Sequence, residues 1–91
     1  MANYILTEEA KDELFRIFKY GVEQFGERQA EKYFVMMHAC FRKIAEFPTL
    51  FPVTIKRNET LRFCVCGVET IYYRIVDNEV SIITIIGRQH Y

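Results

Sequence analysis

The residues of this chain whose types could do chemistry are Arg62, Arg74, Arg88, His90 and Tyr91, with Lys56 and Arg57 as outer members. Arginine presents a planar fork of donors that holds negative charge. Histidine titrates near neutrality, which suits His90 to acid or base work. Each has a plainer alternative. A chain-terminal histidine is commonly solvated and idle. Arg74 can pair with a cross-strand carboxylate such as Glu79 or Glu69, a contact worth well under ~1 kcal/mol when exposed. Lys56 and Arg57 can be a solvated loop pair. His38 stands mid-helix without a second ligand and reads as a surface or boundary residue.

These side chains need strands to carry them. Gly67 to Tyr91 reads GVETIYYRIVDNEVSIITIIGRQHY. Two β-branched runs, Thr70–Val76 and Val80–Ile86, flank Asp77-Asn78-Glu79, which suits a tight reversal with positive φ. The spacing predicts a β-hairpin. Alternation sets Ile71, Tyr73 and Ile75 on one face and Tyr72 and Arg74 on the other. In the second strand it sets Ser81, Ile83 and Ile85 against Val80, Ile82, Thr84 and Ile86. That strand is apolar on both sides, so it belongs inside the sheet. A preceding strand, Leu61–Cys66, is expected to place Leu61, Phe63 and Val65 on one face. Arg62, Cys64 and Cys66 take the other, with Arg62 joining Arg74 on the face away from the helices.

The first half is helical. After a short strand at 3–6, Thr7 offers an N-cap, and Glu8 and Glu9 favour the positive end of the helix dipole. Ala10, Leu14, Ile17, Phe18, Gly21 and Phe25 recur at helical spacing. Gly26 is expected to end that helix in the left-handed conformation. A second helix runs from Glu27 to Phe47, with Ala30, Tyr33, Phe34, Met37, Phe41 and Ile44 inward and Cys40 and Met36 at the border. Pro48 stops it. Residues 48–60 read as loop. The expected order is one strand, two helices and three strands, an α+β domain spanning residues 1–91. A helical hairpin covers one face of an antiparallel-dominated sheet.

Ninety-one residues with 51% hydrophobic content, eight Phe and six Tyr make a folded chain with a modest margin. Twelve basic and twelve acidic residues cancel, which argues against charge-driven nucleic-acid binding. Cys40, Cys64 and Cys66 are an odd count rather than a disulfide framework, and Cys64 and Cys66 read as small buried thiols. The early acidic residues leave no secretory segment, and no apolar run approaches a membrane span, so a soluble, cytoplasmic protein is expected. No metal or cofactor is implied.

The whole chain resembles the ParE toxins of bacterial toxin–antitoxin systems. The resemblance rests on Tyr4-Ile5-Leu6-Thr7, then Ala10, Leu14 and Ile17, then Phe25-Gly26, Gln29-Ala30 and Tyr33. It continues through Ile44-Ala45-Glu46-Phe47-Pro48, Leu61-Arg62, Ile71-Tyr72-Tyr73-Arg74-Ile75 and the ending Ile85-Ile86-Gly87-Arg88-Gln89. It implies a RelE-like fold and a toxin that inhibits DNA gyrase by binding, neutralised by a ParD-type antitoxin whose tail wraps it. Phe15, Val22 and Val35, off the main stripes, are candidates for that contact. Arg62, Arg74, Arg88, His90 and Tyr91, with Lys56 and Arg57, would face the target.

The same fold hosts ribosome-dependent messenger RNA endonucleases of the RelE and YoeB type, and His90-Tyr91 resembles the YoeB ending. In that alternative Arg62 and Arg74 hold phosphate and His90 and Tyr91 join the catalysis. The helical half and the Arg88-Gln89 pair look like ParE instead, and the basic surplus expected for ribosome entry is missing. A third alternative is a degenerate, non-toxic family member, because ParE relatives often extend beyond the Arg-Gln ending.

Overall fold

The computed structural model describes residues 3–87. Its elements run β1 (Tyr4–Leu6), α1 (Glu8–Phe25), α2 (Glu27–Glu46), β2 (Val53–Lys56), β3 (Glu59–Cys66), β4 (Glu69–Val76) and β5 (Glu79–Gly87). The strands form one sheet in the order β1-β5-β4-β3-β2. Only the β1–β5 pair is parallel; β2–β3, β3–β4 and β4–β5 are antiparallel. The α+β architecture and the inner position of β5 are as the sequence leads one to expect.

β2 is an addition to the expected order. The prolines at 48 and 52 mark the loop as irregular, yet Val53-Thr54-Ile55-Lys56 follows the second proline and pairs with 59–62. Pro52 lies just outside the strand, where its missing N–H costs nothing. The β2–β3 turn is Arg57-Asn58 and the β4–β5 turn is Asp77-Asn78, all four at φ between 52° and 64°. Paired positive φ values suit two-residue hairpins, whose backbone twist then matches that of the strands.

Thr7 caps α1, accepting from Ala10 N at 3.2 Å. The joint between the helices differs from a left-handed cap. Gly26 has φ 91° and ψ 162°, so it leaves α1 extended and serves as N-cap of α2 in the same step. Ala10 and Leu14 of α1, Met37, Phe41 and Ile44 of α2, and Ile71, Tyr73 and Ile82 of the sheet form the core between the layers. At the far end of the hairpin the aromatic stripes reach water: Phe25 is 67% exposed.

A bulge in β5 redirects its faces. Tyr73 pairs with Ile82 but Tyr72 pairs with Thr84, leaving Ile83 as the extra residue. Strict alternation therefore fails, and Ile85 joins Ile82 in the core rather than Ser81 on the other face. α1 satisfies the displaced backbone. Thr7 Oγ1 donates to Ile83 O at 2.9 Å. Glu13 accepts from Ile85 N at 2.7 Å and from the fully buried Thr84 hydroxyl at 2.9 Å.

The cysteines correct another expectation. Cys40 and Cys66 form a disulfide, with Cα atoms 6.5 Å apart, and Cys64 is the free, buried cysteine. Cys66 lies on the helix-facing side of β3, and α2 packs there with Cys40 at the border of its stripe. Tertiary packing supplies the proximity that spacing along the chain does not.

Candidate functional site

The open face of the sheet, opposite the helices, carries Phe63, Tyr72 and Arg74. Phe63 and Tyr72 are cross-strand partners with ring centroids 6.2 Å apart. The β2–β3 hairpin reaches over this face. Lys56 Nζ stands 5.0 Å from the centroid of the Tyr72 ring, a cation–π contact. Arg57, at the turn, spans to the start of α1 and grips Glu9 with both nitrogens, Nη1 to Oε1 at 3.0 Å and Nη2 to Oε2 at 2.6 Å. Those hydrogen bonds hold the Glu9 carboxyl down at about 2. Arg57 itself is held protonated by the same carboxylate, its pKa raised.

Arg74 donates to Glu59 at 2.6 Å, and not to Glu79 or Glu69. Glu59 begins β3, the strand beside β4, on the same face.

Arg62 corrects the expected arrangement. It pairs across from Tyr73, the neighbour of Arg74, so the pleat turns Arg62 and Arg74 to opposite faces. On the helix side its guanidinium donates to Phe51 O at 2.7 Å and Thr49 O at 3.4 Å. It holds the segment that follows α2. Tyr73 works beside it: its hydroxyl donates to Pro48 O at 2.6 Å, and burial pushes its pKa up to about 12. Arg88, His90 and Tyr91 lie outside the described residues. Gly87, the last described, lines a groove of about 360 Å³ in which Glu13, Arg16 and Glu69 stand beside Ile17, Tyr20 and Ile85.

A second, apolar groove of about 330 Å³ opens between α1 and α2. Ile17, Phe18, Phe34, Tyr33, Met36 and Val68 are among its walls. Of the residues expected off the stripes, Phe15 is 65% and Val35 64% exposed, while Val22 is half-buried. The groove itself was not legible as such, because its walls are the ends of the two inward stripes, which spacing assigns to the core. Gly67 abuts two of its walls, Tyr33 and Met36. It has φ +62°, and a Cβ there would fall 2.7 Å from the Tyr33 hydroxyl. That hydroxyl accepts from Val68 N at 3.2 Å and lies 3.5 Å from the buried Glu69 carboxylate.

His38 is half-buried, its Nδ1 3.0 Å from the Tyr4 hydroxyl and its ring 4.6 Å from Phe34. Burial first, then Arg42, lowers its pKa. Among the described residues no cluster of three His, Cys, Asp or Glu side chains is placed to hold a metal ion, and no helix is long and apolar enough to cross a membrane.

The family model described as the ParE toxin of the type II toxin–antitoxin system, parDE, matches residues 4–90. No curated protein sequence matches the chain. Among solved structures, it is similar to a chain of the chromosomal ParDE toxin–antitoxin system from P. aeruginosa, with a TM-score of 0.83, 15% identity and 98% of each chain covered. It is also similar to a chain of the RelBE2 toxin–antitoxin complex from Mycobacterium tuberculosis. There the TM-score is 0.66 at 14% identity, covering 96% of this chain and 98% of that one.

Proposed function

The chain belongs to the ParE toxin family of type II toxin–antitoxin systems, and from that premise we propose that it inhibits DNA gyrase by docking rather than by chemistry of its own. Residues 1–91 act as one toxin domain, in the cytoplasm, without cofactor and without binding nucleic acid directly. The target surface is the open sheet face with Lys56, Arg57 and Arg74, and Arg88, His90 and Tyr91 take part in the same contact. A ParD-type antitoxin lays an apolar segment into the α1–α2 groove.

The observation that carries docking over catalysis is the opposed placement of Arg62 and Arg74. An endonuclease reading needs both guanidinium groups on one phosphate with His90 and Tyr91 at hand. Arg62 is instead spent on the carbonyls of Thr49 and Phe51.

The purified chain, added to a gyrase supercoiling reaction and in parallel to cell-free translation, tests this. Inhibited supercoiling with undisturbed translation is the expected result. Cleaved message with normal supercoiling overturns it in favour of a ribosome-dependent nuclease. A natively folded chain that disturbs neither reaction is a family member that has lost toxicity.

A further inference from the structure

The disulfide ties the apolar groove to the sheet. Tyr33, Met36, Met37 and Cys40 follow one another at helical spacing and form one stripe on α2. The first three line the groove, and the fourth bonds to Cys66. Directly after Cys66 the chain turns through Gly67 into Val68, which lines the same groove. Gly67 packs so closely on Tyr33 and Met36 that a Cβ would meet both within 2.9 Å. The bond is thus the covalent end of a wall shared by α2 and the β3–β4 turn.

We propose that the Cys40–Cys66 disulfide is a thiol-exchange switch that sets the groove's affinity for the antitoxin segment, the oxidised chain binding more tightly. This rests on the groove being the antitoxin's docking site, as read above. The reductant is a low-molecular-weight thiol such as glutathione. Its thiolate attacks the sulfur of Cys40, the less buried partner, since Cys66 is only 3% exposed. Cys66 leaves as a thiolate and takes a proton. A second glutathione thiolate attacks the mixed disulfide, releasing Cys40 and forming glutathione disulfide. Two glutathione thiols are oxidised and one protein disulfide becomes two thiols. Cys64 shares the face of Cys66, but burial pushes its thiol up, so it stays protonated and does not compete. With the bond open, the turn is held to α2 by non-covalent contacts, among them the Tyr33 hydroxyl on Val68 N and the Cys66 sulfur facing Met36 O. Binding must then order a looser wall, which subtracts from affinity.

The test compares the full chain oxidised and after dithiothreitol, titratable thiols rising from one to three per chain. Anilinonaphthalene sulfonate serves as apolar probe, and the antitoxin encoded with the toxin as second ligand. Both are expected to bind about tenfold more weakly to the reduced chain, with far-ultraviolet circular dichroism unchanged. Cys40→Ser should match the reduced chain and ignore dithiothreitol, while Cys64→Ser should respond as the parent does. Equal affinities in the two states overturn the switch. So does loss of helical signal on reduction, which makes the bond a staple of the fold. A probe that follows the redox state while the antitoxin does not overturns the antitoxin's placement in this groove, and leaves the coupling of disulfide to groove intact.

Discussion

Arg57 and Glu9 stand 48 residues apart and meet in a two-pronged ion pair, joining a hairpin turn at one end of the sheet order to the first turn of α1. Each side chain keeps about half its surface in water, so screening limits the pair's contribution. Its pH dependence is nonetheless distinct. The folded pKa of Glu9 is depressed from 4.5 to about 2, so its stabilisation is fully present above 4.5 and fades as pH falls toward 2. Thermal melts of the parent and Glu9→Gln should differ modestly at pH 7 and converge across that acid window. A gap that persists at pH 2 would assign the difference to something other than this carboxylate.

Gly67→Ala should cost more than Gly26→Ala. Both glycines have positive φ, but Gly26 faces open space whereas Gly67 abuts Tyr33 and Met36. Conformational strain alone amounts to roughly 1–3 kcal/mol, and overpacking adds about 1–3 kcal/mol more at Gly67. Urea midpoints of the two variants give the comparison. Adding Tyr33→Phe removes the clashing oxygen and should recover part of the Gly67→Ala loss.

Tyr73→Phe leaves the Pro48 carbonyl without the hydroxyl that donates to it, a loss of about 1–3 kcal/mol if the carbonyl stays dry. Burial raises the pKa of both Tyr33 and Tyr73, and in alkaline difference spectra of the parent the Tyr73 phenol should ionise near the value of about 12 that burial imposes on it. A phenol with a raised folded pKa stabilises below its unfolded pKa, so this contribution is kept up to about pH 10 and lost between 10 and 12. Tyr73→Phe should lack the transition near 12 while keeping the delayed ionisation of Tyr33.

Arg62 and Arg74 should separate stability from toxicity. Arg62→Ala frees two carbonyls and should cost about 1.5–3 kcal/mol, the range for hydrogen bonds to a charged group. Arg74→Ala removes a half-exposed ion pair with Glu59 and should cost under ~1 kcal/mol. Growth inhibition scored at matched folded concentration should fall for Arg74→Ala and hold for Arg62→Ala. The reverse order would move the target surface off the open face.

Removing residues 88–91 should abolish growth inhibition while antitoxin binding persists, read from pull-down with the antitoxin and from plating efficiency. A truncated chain that still kills would clear the C-terminal group of a target role. Joint loss of both would point to a surface shared by target and antitoxin.

The elements most legible in sequence were those governed by local rules. Asp77-Asn78 adopts the positive φ values its residue types tolerate, and Thr7 caps α1 as its position suggests. What stayed hidden depends on partners distant in sequence. Arg62 and Arg74 could not be assigned to faces without the β3–β4 register, because a shift of one residue exchanges the faces. Ile83 is a bulge whose surrounding backbone is satisfied by Thr7, the N-cap of α1, and by Glu13 within it. Lys56 and Arg57 were legible as charges near a loop, but not as residues that reach Tyr72 and Glu9.

The parallel pairing of Tyr4–Leu6 with Val80–Ile82 imposes an order of assembly. β3, β4 and β5 are joined by short turns and can pair as soon as each is made. β1 is made before the other four described strands, yet the strand it pairs with, β5, is made after them. Sheet closure is therefore the step with the largest sequence separation, and it waits until the chain has been made through Ile82. A nascent toxin carries an unclosed sheet until Ile82 has been made, and Thr7 cannot reach the β5 carbonyl it binds until that strand exists.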